Sequence, residues 1–145
     1  MNPCKLAANF APLAGRLLLA ILFLQSGWHK IFDFEQNVRV MAGKGIPLPD
    51  LLLAVTIVLV IGGGLMILCG WYARWAALAL LLWMIPITLL YHAYWNAEPA
   101  QLFNQTNHFL KNLAIMGALL NLIGLGSGPY SLRDAPCGAG AGVNA

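Results

Sequence analysis

Six side chains in this sequence carry groups from which a binding site can be built: His29, Lys30, His92, His108, Lys111 and Asn112. Imidazole, ammonium and carboxamide groups all donate hydrogen bonds, so together they suit an acceptor such as a carbonyl, a phosphate or an oxyanion. Histidine also titrates near neutral pH and can take up or release a proton. His108, Lys111 and Asn112 stand at i, i+3 and i+4, the spacing that shares one side of a helix. Gln25 precedes His29 by four residues, and Thr88 precedes His92 by four. Three neutral imidazoles are a conceivable metal set, but their spacing is unforced and no metal is expected. A polar headgroup, with a quinone as the possible ligand, is the better match. Each residue taken singly is equally an interfacial anchor, because Lys, Trp and Tyr gather at helix ends in any membrane protein.

Those six groups come together only if the elements carrying them do. Hydrophobic residues make up 60% of the chain and charged residues 9%, against about 25% charged in ordinary soluble domains. A soluble fold has too little polar surface to draw on here. Four apolar runs approach the ~20 residues that a helix needs to cross about 30 Å of hydrocarbon. The sequence therefore predicts an all-α membrane protein, a four-transmembrane-helix bundle with helices over about residues 13–30, 51–70, 74–93 and 108–126. Residues 1–134 form one domain in this reading, and 135–145, rich in Gly and Ala, a flexible tail. Spanning β-strands are excluded by the lack of alternation.

Between the first two spans, Ile31, Phe34, Val38 and Met41 recur at helical spacing among charged residues, which predicts a short interfacial helix. The stretch Ile46-Pro47-Leu48-Pro49 stops it, and Asp50 is placed to cap the second span. The tight link at 70–74 makes the second and third spans antiparallel neighbours, and 94–107 reads as a polar link to the fourth. Pro86 removes one hydrogen bond inside the third span and predicts a kink. The glycines at 62–64, 70, 117, 124 and 126 read as surfaces for close helix packing. Cleavage of the first span as a signal peptide is not expected, because no small-x-small site follows it. An even number of spans puts both termini on one side, and the Lys/Arg count gives four to each side, so orientation stays open. The alternating directions carry all six polar residues to the face opposite the termini, and Arg16 and Arg74 to the terminal face.

A net charge of +3 with scattered basic residues gives no nucleic-acid footprint. Three cysteines with no Cys-x-x-Cys give no disulfide framework. Asn104-Gln105-Thr106 matches a glycosylation acceptor at the level of chance. No Walker loop, dinucleotide fingerprint, haem motif, flavin signature or Fe–S signature is present.

The run Arg16-Leu-Leu-Leu-Ala, followed by Gln25-Ser-Gly27-Trp-His-Lys30, resembles the opening of DoxX-type membrane proteins. Gly63-Gly64-Leu-Met-Ile-Leu-Cys-Gly70, followed by Arg74-Trp-Ala-Ala-Leu, is similar to that family's turn between the second and third helices. His92, the pair Lys111-Asn112 and the closing Gly126-Ser-Gly128 extend the resemblance to residues 13–134. It implies a four-helix bacterial or archaeal inner-membrane protein. Some such proteins are membrane subunits of thiosulfate:quinone oxidoreductase, and others accompany thiol-redox enzymes. Many relatives carry a glutamate three residues before the paired glycines, where this chain has Val60, so a buried carboxylate relay is not expected. The function expected is an accessory membrane subunit of a redox system, quinone- or thiol-linked, with lipid around it and an oxidoreductase partner subunit. It is more an auxiliary subunit than a stand-alone enzyme. The rivals are a small oligomeric permease, assembled as a homo-oligomer, and a membrane scaffold without chemistry.

Overall fold

A computed structural model describes residues 3–132, with side chains from Leu6 onward; the predicted tail at 135–145 lies outside the described residues. The described chain is helical with no strand. Its long helices are α1 (Pro3–Phe32), α3 (Pro49–Cys69), α4 (Ala73–Tyr91) and α5 (Pro99–Leu125), with the short α2 (Phe34–Gly43) between α1 and α3. A single 3-10 turn, Tyr94–Asn96, precedes α5. Four segments are long and apolar enough to cross a membrane.

Two boundaries depart from the sequence expectation. α1 begins at Pro3 rather than near 13, and α5 begins at Pro99 rather than near 108, so most of the expected 94–107 link is helix. The cause is the same at both ends: polar residues mark where lipid stops, not where the backbone uncoils. Pro12 lies within α1, which continues through it despite the i→i−4 bond that its ring removes. Pro99 stands at the first helical position of α5, where its missing N–H has no intrahelical partner to lose. At about 1.5 Å per residue, the 30 residues of α1 exceed the hydrocarbon thickness, so its ends must project beyond it.

The start of α3 differs in detail. The residue before it is Leu48 in the left-handed region (φ 48°), Pro49 opens the helix, and Asp50 falls in the first turn without a capping hydrogen bond. A carboxylate there still complements the helix dipole. α3 ends at Gly70 (φ 66°), whose N–H returns to the Ile67 carbonyl. Only residues 70–72 separate α3 from α4, and the two helices pack as neighbours. Pro86 sits inside an α4 that continues through it.

The helices pack in series: α1 on α3, α3 on α4 and α4 on α5, with α2 laid chiefly on α3. Phe23, Val60, Ile67, Ala77, Leu80 and Leu119 form the buried seam. Small residues let the backbones close in. A methyl group at Gly63 would press on Leu80, one at Gly64 on Leu24, and one at Gly27 would overlap Ile61. Within the chain, Gly62, Gly117 and Gly124 take no part in this packing, with nothing within 4 Å of such a methyl. The antiparallel order gives the bundle a His end, where α1 and α4 finish, and an Arg end, where α3 and α5 finish.

Candidate functional site: a polar chamber at the His end

At the His end, four of the six predicted residues line one chamber of about 440 Å³: Lys30, His92, Lys111 and Asn112. Lys30 comes from the last turn of α1. His92 caps α4, and Lys111 and Asn112 lie on one side of α5, as their spacing requires. Gln25, Ser26, Thr56 and Thr88 add polar atoms, while Leu22, Phe23, Val60, Leu80, Met84, Ile87 and Ile115, with the Trp83 ring, give an apolar wall. The chamber thus has a hydrogen-bonding end and an oily flank.

Local bonds set the aim of each donor. The Lys30 ammonium donates to the Ser26 hydroxyl at 2.7 Å, one turn back on its own helix. Asn112 Nδ2 donates to Thr88 Oγ1 at 3.0 Å, tying α5 to α4. Lys111 Nζ lies 3.1 Å from His108 Nδ1; an ammonium can only donate, so that nitrogen accepts. His92 Nδ1 lies 3.0 Å from Gln105 Oε1, an acceptor, so Nδ1 carries the proton and the neutral ring keeps Nε2 as a base. The two imidazoles stack with centroids 5.0 Å apart. None of the four described carboxylates (Asp33, Glu35, Asp50, Glu98) lines the chamber. Two cationic side chains therefore face it with no acid to offset them. In a low-dielectric surrounding that favours acceptor or anionic groups over cations.

The remaining predicted residues are placed differently. His108 supports Lys111 and His92 without lining the chamber. His29 is exposed on the outer side of α1 and joins neither. Among the described residues, no group of three or more His, Cys, Asp or Glu side chains is placed to hold a metal ion. Sequence reasoning passed over Ser26, Thr56, Trp83 and Gln105. Ser26 was discoverable, since it stands four residues before Lys30. Thr56 bonds its own i−4 carbonyl (Leu52, 2.7 Å) and looks unremarkable in an apolar run.

A second, smaller space of about 220 Å³ lies beneath α2, lined by Asn37, Val40 and Met41 of that helix and by Leu53 and Tyr91. It shares Lys30, Thr56, Ile87 and His92 with the main chamber. Lys44, just past α2, sits 5.1 Å over the Tyr91 ring.

The Arg end holds the remaining family-motif residues. Arg16 is 1% exposed and donates to the Tyr130 carbonyl at 2.9 Å. Gly70 is packed against its guanidinium and against Ser131 so closely that no Cβ fits. The Leu132 N–H donates to the Cys69 carbonyl at 3.1 Å, and Gly128 abuts Pro12. Arg74 is separate: its Nη1 donates to the Ile123 carbonyl at 3.0 Å, satisfying the end of α5. This end is a structural clasp.

The sequence pattern of the DoxX family matches residues 11–93, more than half of the chain. The inner membrane protein YqjF of Escherichia coli is 34% identical over 120 residues, covering 83% of this chain and 87% of its own. The inner membrane protein YphA of the same organism is 28% identical over 120 residues, covering 83% and 86%. A Surfeit locus protein 4 homolog of Drosophila melanogaster is 28% identical over 87% of this chain, which spans 41% of that protein. No solved structure matches the chain. With the family pattern running from before Arg16 to just past His92, and with relatives aligned along most of their length, the chain belongs to the DoxX family.

Proposed function

We propose that this protein is an accessory membrane subunit of a redox system, situated in an inner membrane as its Escherichia coli relatives are, and that the chamber at the His end receives a quinone headgroup. One observation carries the reading: the chamber joins donors without carboxylates to an apolar wall, inside a bundle of membrane length. A quinone is an acceptor head on an apolar body, so its two parts match the two parts of the chamber. Lys30, Lys111 and Asn112 would donate to its carbonyls, and Nε2 of His92 would hold a proton beside them. When bound, a quinone supplies two-electron, two-proton chemistry. The chain's own residues bind, orient and exchange the proton, and a partner oxidoreductase handles the electrons. The exposed face of α5 around Gly117 and Gly124 leaves room for that partner or for a second copy of the chain.

The test is mild-detergent purification from native membranes followed by extraction and quantitation of bound quinone. Near-stoichiometric quinone is expected in the native protein. Lys30→Ala and Lys111→Ala should each lower retention about tenfold or more, the loss of a charge-assisted hydrogen bond. His29→Ala should retain quinone as the native protein does. No quinone in the native protein, or equal retention in all four, would sink the proposal.

A further inference from the structure

The series packing of the helices leaves one seam open. α1 meets α3, α3 meets α4 and α4 meets α5, but no comparable packing brings α5 back to α1 among the described residues. At the Arg end the seam is shut, because the chain after α5 folds onto α1 through Arg16–Tyr130 and Gly128–Pro12. Among the described residues, nothing equivalent shuts it at the His end. There Gln25 of α1 and Lys111 of α5 are both exposed, and both line the chamber. Leu22, 36% exposed, stands one turn deeper on the α1 side, with Ile115 one turn deeper on the α5 side.

We infer that the chamber is loaded sideways from the bilayer, through the gap between α1 and α5. The inference rests on the chamber being a ligand site and adds the route and the class of ligand: an amphiphile that stays dissolved in the membrane. Its head reaches Lys30 and His92 while its tail remains in lipid. Facing plain hydrocarbon, Gln25 and Lys111 are costly on a membrane helix; as the two lips of a portal, they receive a polar head on its way in. The competing way in runs beneath α2, where the smaller space shares Lys30 and His92 with the chamber. That side is braced by Lys44 over Tyr91, whereas the lips of the seam have no brace between them.

Thiol labelling in proteoliposomes separates the two routes without any quinone. Cys4, Cys69 and Cys137 are first replaced by serine. Thr88→Cys then puts one thiol inside the chamber, and Thr56→Cys serves as a second reporter should loss of the Asn112 bond disturb folding. The reagent is a long-chain alkyl maleimide dissolved in the bilayer. Labelling is expected, slowed several-fold by Leu22→Trp or Ile115→Trp and unchanged by Met41→Trp beneath α2. The inference is overturned if the lip substitutions leave the rate unchanged, if Met41→Trp slows it instead, or if both reporters react only after denaturation. Lateral labelling together with absent quinone would leave the portal standing and remove the quinone.

Discussion

A single ring nitrogen shows what the interior of this bundle tolerates. The indole N–H of Trp83 is buried with no hydrogen-bond partner. An orphan donor of this kind costs about 1–3 kcal/mol. Trp83→Phe keeps most of the ring and removes the orphan, so thermal unfolding in detergent should show equal or slightly raised stability. A clear loss would mean that the N–H is satisfied in the membrane. At this same scale the sequence was readable in depth but not in direction. Alternation of the spans placed His29 and Lys30 at the same height, and so they stand. One residue turns a helix by about 100°, and that turn sends Lys30 to the chamber and His29 outward. Hydropathy carries no phase for a helix apolar all round, which is why α3, buried at Leu53, Thr56, Val60 and Gly63, gave no hint of Thr56.

Between elements, the contact most specific to the site is Asn112 to Thr88, a side-chain bond holding α5 against α4. Interhelical bonds of this kind in membranes average about 0.6 kcal/mol and reach about 1.7 kcal/mol. Asn112→Ala and Thr88→Ala should each cost about 0.5–1.5 kcal/mol on that scale. The double substitution should cost clearly less than their sum, because either single change already removes the bond. Strict additivity in a thermal-unfolding cycle would show the two groups to be uncoupled. The number and order of elements followed from composition and from the breaks at 46–49 and 70–74. Their ends did not, since the amide-rich stretch from Gln101 to His108 continues α5. Gln101, Leu102 and Gln105 favour helix, and the start at Pro99 carries the poorer Asn104, Thr106 and Asn107 along with them.

For the molecule as a whole, cohesion at the Arg end depends on one glycine. Gly70 holds φ 66° and lies under both Arg16 and Ser131. Gly70→Ala adds a left-handed strain and an overlap together, and should cost about 2–4 kcal/mol. Detergent-solubilised protein should therefore melt well below the native form; an unchanged melting temperature would mean that the clasp does not hold the bundle together. The resemblance marked Arg16 and Gly70 separately, and only the fold shows them as one contact. The chamber is the same kind of result: four of its polar residues were visible as residues, but the apolar wall belongs to four different helices and exists only once they pack.

Because α2 has no fully buried side chain and belongs to the His end alone, the described residues add a helix to one membrane face only. At the Arg end, three residues join α3 to α4, and among the described residues no comparable helix lies there. An amphipathic helix lodged among headgroups occupies area in one leaflet with no counterpart in the other. Among the described residues, that added area lies at the level of the polar chamber. A helix of this kind favours a bilayer that bends away from its side, so curvature and the chamber meet on the same face.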